Sequence, residues 1–143
     1  METQQVRPGE STPPACTKPE TFYSYLVSNP APVIEPDGSI FMLFKARKYV
    51  GREFTAFYLG AARAKSPDDP FEVITPDPLF GADAPNGEVE DPFVWIGKDG
   101  LYHMVAKDMR GDISGSEADG VELISENGLD WKFKQIAYTR GSN

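Results

Sequence analysis

Apolar side chains along this 143-residue chain come in short clusters, often alternating with polar ones, and no stretch carries the three- and four-residue spacing of an amphipathic helix. The pattern predicts strands over residues 31–34, 39–46, 54–64, 71–74, 92–96, 101–106, 120–125 and 132–138. Clusters of Gly, Pro, Asn and Asp separate them, and 13 glycines and 13 prolines leave little room for long uninterrupted elements. Two connections, "EPDGS" and "GKDGL", carry Asp-Gly, the strongest short hairpin signal. An all-β fold follows.

The pattern also repeats. "APVIEPDGSIFMLFKAR" (31–47) and "DPFVWIGKDGLYHMVAKDM" (91–109) share a proline, an apolar strand, Asp-Gly and a second strand ending in lysine. Gly38 and Gly100 stand 62 positions apart, as do Lys45 and Lys107. Downstream, "ARAKSPDDPFEVI" (62–74) matches "ELISENGLDWKFKQI" (122–136) as a strand, a Ser-led polar turn and an aromatic residue opening the next strand. Each unit, about 28–75 and 88–138, reads as four antiparallel strands, the plan of a β-propeller blade. A ring takes about four to eight blades. The chain is therefore expected to be an incomplete propeller, either part of a longer protein or one completed by self-association. Residues 1–20 are expected to form a disordered tail ahead of a partial propeller domain over 21–143, because Pro, Thr, Ser and Glu dominate them. The stretch "PDPLFGADAPNGEVE" reads as a connector between units.

Composition narrows the partners. With 40% hydrophobic and 12% aromatic residues the chain can bury one sizeable core. Its 14 basic and 22 acidic residues give a net charge of -8, which opposes attraction to phosphate backbones and anionic lipid, so neither nucleic acid nor membrane is an expected partner. Apolar runs such as residues 39–44 fall far short of the ~20 residues of a membrane-spanning helix. No basic stretch followed by an apolar one marks a secretory leader at the start of the chain. Cys16 is the only cysteine and His103 the only histidine, which leaves no internal disulfide and neither a Cys-based nor a His-based zinc set. No metal and no cofactor is expected. The polar segment "DMRGDISGSEADG" (108–120) lacks EF-hand spacing and reads as a mobile loop.

"SNPAPVIEPDGSIFMLFKAR", "LGAARAKSPDDPFEVITPDPLF", "VEDPFVWIGKDGLYHMVAKDM" and "VELISENGLDWKF" together resemble the five-bladed β-propeller glycoside hydrolases of family 43 and their relatives in family 32, over roughly residues 28–136. The resemblance implies a glycosidase acting on the O-glycosyl bonds of a polysaccharide or oligosaccharide, with a secreted or periplasmic location. A noncatalytic carbohydrate-binding propeller and a propeller serving only structure or protein interaction are the alternatives. In such enzymes one carboxylic acid protonates the leaving oxygen and another carboxylate activates water or attacks the sugar. An Asp before Pro at a blade start is a third acidic residue of these families, and Asp91 in "EDPF" occupies that motif position.

The residues support the same placement on physical grounds. Pro92 disfavours the helical region for Asp91 and opens a strand without wasting a donor, and a carboxylate there would stabilise an oxocarbenium-like transition state. Glu90 is the second catalytic candidate, on the other side of the strand or in the loop before it. The bland alternative is a pair of solvated turn carboxylates. In the first unit Ala31 is expected at the position equivalent to Asp91, with Asn29 before Pro30; Asn29 could bind a sugar hydroxyl but could not deprotonate water. Lys45 with Arg47, and Lys107 with Asp108, close the second strand of each unit and are candidate contacts for sugar hydroxyls or a substrate carboxylate. Trp95 and Trp131 could stack on a sugar face, although both sit where packing between blades needs filling, the preferred reading. His103 reads as a partly buried, hydrogen-bonded side chain.

Overall fold

A computed structural model of the chain describes residues 21–50, 53–54 and 57–141; the expected tail over 1–20, Cys16 included, lies outside them. In chain order the strands are β1 (Leu26–Ile34), β2 (Ile40–Arg47), β3 (Tyr49–Val50), β4 (Glu53–Phe54), β5 (Tyr58–Ala64), β6 (Glu72–Val73), β7 (Phe80–Gly81), β8 (Val89–Ile96), β9 (Tyr102–Asp108), β10 (Gly120–Ser125) and β11 (Lys132–Tyr138). Sheet one runs β1-β2-β5-β6, with β7 also pairing β5; sheet two runs β8-β9-β10-β11, and β3 and β4 form a small ladder of their own. Every pairing is antiparallel. Among the described residues there is no helix, and neither sheet closes on itself.

Alternation explains why these segments pair as they do. In β2, Phe41 and Leu43 point to one side and Met42 and Phe44 to the other, as successive strand residues must. The first side joins Ala31, Leu59, Ala61 and Phe80 in one core with Val94, Met104, Ala106, Val121, Leu123 and Trp131 of sheet two. Phe41 meets Tyr102 edge-on across this boundary, with ring centroids 5.2 Å apart. The second side of β2 forms a smaller cluster in which Phe22 stacks on Phe44 at 6.1 Å, with Ala46 and Ala62 buried beside them and Tyr23 and Tyr58 packed against it. In sheet two, register places Phe93 opposite Val105 and Trp95 opposite His103. These four occupy the face turned away from the core, where Phe93 is 67% exposed.

A polar tie also joins the layers. Glu35 accepts two hydrogen bonds of 2.9 Å from the Arg63 guanidinium, one from Ser39 Oγ, and one from the Tyr102 hydroxyl of sheet two. Burial pushes the Glu35 carboxyl up, but these donors outweigh it and hold the group below its ordinary range. Burial and the Glu35 charge together raise the Tyr102 phenol to about 12.

The hairpins are those predicted. Gly38 and Gly100 take φ of 88° and 79°, the left-handed region that Asp-Gly turns require. Asp37 caps the amide of Ser39 at 2.9 Å, and Asp99 caps that of Leu101 at 3.1 Å, the same contact one repeat later.

Strand limits differ where the ladder is irregular. β1 and β8 begin upstream of the expected residues 31 and 92 because each ladder continues through a bulge. The expected strand 54–64 is divided, with Phe54 in β4 and β5 starting at Tyr58, and the expected strand 71–74 shortens to β6. The segment read as a connector contributes β7, which extends the edge of sheet one. The loop after β9 is pinned instead of loose. Asp108, fully buried, accepts hydrogen bonds from the backbone amides of Gly111, Ile113 and Ser114 at 3.0, 2.9 and 2.7 Å and from Ser114 Oγ at 2.9 Å.

Candidate functional site

The two bulges occupy the same place in their units. In sheet one Ser28 faces Lys45 and Ala31 faces Leu43, so Asn29 and Pro30 stand against the single residue Phe44; in sheet two Glu90 faces Lys107 and Phe93 faces Val105, so Asp91 and Pro92 stand against Ala106. The equivalent of Asp91 is therefore Asn29, not Ala31. "NPAPVIEPDG" and "DPFVWIGKDG" match without a gap, at the 62-residue spacing of the turn glycines and the lysines. Matching Ala31-Pro32 to Asp91-Pro92 slips the frame by one proline.

Both bulge residues have left-handed backbone, φ 47° at Asn29 and 52° at Asp91. Such a conformation is uncommon outside glycine, is best tolerated by Asn and Asp, and is further disfavoured ahead of proline. Non-glycine residues held this way cost on the order of 1 to 3 kcal/mol each and cluster at functional sites. Both side chains are exposed, and they meet: Asn29 Nδ2 donates to Asp91 Oδ1 at 2.6 Å. Two strands that are not neighbours in any sheet, β1 and β8, thus present a carboxamide and a carboxylate as one surface pair.

Glu90 lies on the inner side of this pair and is held differently. Its Oε1 is 2.6 Å from Lys45 Nζ and its Oε2 3.1 Å from Lys107 Nζ, so the repeated lysines of both units grip one carboxylate. The hydrogen bond from Lys45, reinforced by Lys107 against a burial penalty, holds the Glu90 carboxyl below its ordinary range. Such a group stays ionised near neutral pH, and its two lysine contacts anchor the strand just before the bulge at Asp91. Its partner Lys107 is correspondingly raised. Lys45 Nζ and the Arg47 guanidinium also lie over the Phe57 ring, 4.2 and 3.8 Å from its centroid.

The remaining sequence candidates lie apart. Asp108 cannot contact a substrate, since burial and four internal hydrogen bonds consume its carboxylate; those donors overcome the burial penalty and keep it ionised. Trp131 is core, its indole N–H donating to the Gly128 carbonyl at 2.9 Å. Trp95 stacks on the His103 ring at 5.1 Å and 17°, with Phe93 at 5.9 Å on β8.

A polar network surrounds His103, whose partners the sequence did not name. Its Nδ1 is 3.0 Å from Glu122 Oε1 and its Nε2 3.1 Å from both Asp99 carboxylate oxygens. Glu122 also receives Lys134 Nζ at 2.8 Å and Gln135 Nε2 at 2.6 Å. Hydrogen bonds from Lys134 and His103 lower Glu122 to about 2, while Glu122 and Asp99 raise His103 despite its burial. Glu88, also buried, is paired with Arg110 Nε at 3.2 Å. A pocket of about 270 Å3 lies at the far end of sheet two from Asp91, between Leu101, Ile124, Ser125, Asn127 and Lys132. None of the candidate residues read from the sequence lines it.

No protein-family model matches the chain, and no curated protein does either. Solved structures do. A structure described as belonging to the GH130 family of mannoside phosphorylases, which contains glycoside hydrolases that target beta-1,2 mannosidic linkages in Candida mannan, is 25% identical, with a TM-score of 0.60 over 85% of this chain and 34% of that one. A glycosyl hydrolase from Bacteroides ovatus is 26% identical, with a TM-score of 0.56 over 75% of this chain and 30% of that one. A candidate glycosidase from Bacteroides thetaiotaomicron is 26% identical, with a TM-score of 0.58 over 81% of this chain and 34% of that one. The chain spans about a third of the length of these structures. At that extent its all-β fold is the fold of proteins named as glycoside hydrolases.

Proposed function

We propose that this chain is part of a glycoside hydrolase-type β-propeller, its partial propeller domain covering 21–143 with blade-like units at about 28–75 and 88–138, and that Asp91 presents a carboxylate to a glycosidic bond. The observation that carries this is the exposed Asp91 side chain, raised from a pre-proline bulge with left-handed backbone and paired with its repeat counterpart Asn29. A carbohydrate is the partner this site fits, because a carboxylate and a carboxamide together accept and donate to hydroxyl groups and can face a developing sugar cation. The sequence motifs favour a family 43 or family 32 type of enzyme, and the solved structures direct attention also to β-1,2-linked mannosides as a substrate class. A secreted or periplasmic location accords with either.

A second reading rests on a specific observation. Glycoside hydrolysis needs two carboxyl groups, and around Asp91 the repeat-equivalent position is an amide while Glu90 is committed to lysines. Either the second carboxyl comes from elsewhere in the protein or the site binds carbohydrate without cleaving it. The deciding experiment offers the full protein β-1,2-mannobiose alongside arabinan, xylan and fructan oligosaccharides, and follows release of reducing sugar for the native protein and Asp91→Asn. Cleavage that falls by two or more orders of magnitude in Asp91→Asn supports the enzyme. Binding without cleavage in both supports the carbohydrate-binding reading, and equal cleavage in both refutes the assignment of Asp91.

A further inference from the structure

We infer that Asn29 is a positioning residue for Asp91, acting on substrate through that carboxylate; this rests on the glycosidase reading above. Three observations lead there. The Asn29 amide donates to Asp91 Oδ1 at 2.6 Å in an exposed pair, so the contact occupies one carboxylate oxygen and leaves the other for a substrate. The two residues stand at the same bulge of the two units, each with positive φ and each followed by proline, so their Cα–Cβ directions are fixed by backbone geometry. The segments beneath are held as well, because Glu90 next to Asp91 is gripped by Lys45 of Asn29's own sheet and by Lys107 of its own.

The chemistry gives the pairing a use. An unpaired surface carboxylate rotates about two side-chain torsions and presents either oxygen in many directions. A carboxamide donor on a separate strand selects one rotamer and one free oxygen before substrate arrives, which is the pre-organisation that orientation effects in catalysis depend on. Asn29 supplies this without adding charge, whereas an aspartate at its place would set two carboxylates against each other at the same distance.

The test uses the full protein with β-1,2-mannobiose, or whichever oligosaccharide it is found to cleave, and three variants. Asn29→Gly removes the donor and accepts positive φ without strain; Asn29→Asp preserves shape and also tolerates that backbone while replacing the donor by an acceptor. Asp91→Asn supplies the reference background. The expected result for both Asn29 variants is a kcat about 100-fold lower with KM changed by less than about twofold, the pattern of an interaction that matters in the transition state. Adding Asn29→Gly to Asp91→Asn should then cost nothing more, because the amide has no carboxylate left to orient. Thermal unfolding of each variant separates this from a loss of fold, which would lower the unfolding temperature and the active fraction but leave the KM of the remaining enzyme and the independence of the two sites unchanged. A native kcat in Asn29→Gly, a raised KM with kcat unchanged, or an equal loss in the Asp91→Asn background overturns the positioning role while leaving Asp91 in place. Full turnover in Asp91→Asn overturns the glycosidase reading itself, and the inference with it.

Discussion

Replacing Glu90 by Gln tests whether the lysine pair anchors the bulge. The substitution retains volume and one acceptor oxygen but removes the charge that Lys45 and Lys107 share. The Lys45 and Glu90 side chains are 11% and 13% exposed and that of Lys107 31%, so the Lys45 contact is nearly buried and the Lys107 contact well screened. Breaking a buried pair costs about 3 to 5 kcal/mol and a surface pair about 0.2 to 1 kcal/mol. With an amide left to accept from Lys45, the loss should fall between these limits, at about 2 kcal/mol. For a domain of this size that corresponds to a fall in unfolding temperature of about 6 °C. Because the Glu90 pKa is depressed from 4.5 in the folded state, its contribution is fully present above 4.5 and disappears as pH falls through the lower folded value. Urea unfolding of native protein and Glu90→Gln should therefore differ at pH 7 and converge toward pH 2. A difference below about 0.5 kcal/mol at pH 7 would place the pair among ordinary surface contacts, and a difference that persists undiminished at pH 2 would mean that the carboxylate charge is not its source.

Two more outcomes follow from buried charge elsewhere. Glu122 is held at about 2 against an ordinary 4.5, and His103 is raised above 6.5. The Glu122 contribution is present above 4.5 and lost as pH falls toward 2, while the His103 contribution is present below 6.5 and lost as pH rises through its higher folded value. Stability by urea titration should form a plateau between these limits; Glu122→Gln should flatten the acid limb and His103→Asn the alkaline one, and limbs unchanged in both variants would exclude the network as their cause. Asp108→Ala leaves three loop amides without their acceptor and should cost about 3 kcal/mol. Amide exchange at Ile113 and Ser114 should rise with it, and native protection there would refute the role given to Asp108.

Much of the architecture is legible in the residues because alternation and turn chemistry are local. β2, β9, β10 and β11 lie within a residue or two of their expected limits, and Gly38 and Gly100 adopt the turns that Asp-Gly predicts. The bulges are not legible in this way: one extra residue in each breaks the period of two, so β1 and β8 are read as starting only at residues 31 and 92. β7, two residues long, carries too little pattern to separate it from a connector. Asp91, Asn29, Glu90 and both lysines are singled out by type and spacing, and the structure brings all five to one locality. That Glu90 would be paired with lysines while Asp91 remained exposed depends on which strand face each occupies at the bulge. Asp108 is misread because its loop donors lie three to six residues ahead in a segment with no periodicity.

The stacked Phe22 and Phe44 rings tie the segment before β1 to the outer side of sheet one. Phe22 fills the space over Gly60 so closely that even an added methyl group would collide with its ring. Glycine at this place in β5 is therefore the condition for the contact: any larger residue there would have to lift the Phe22 ring, and with it the aromatic cluster that it shares with Phe44, Tyr23 and Tyr58.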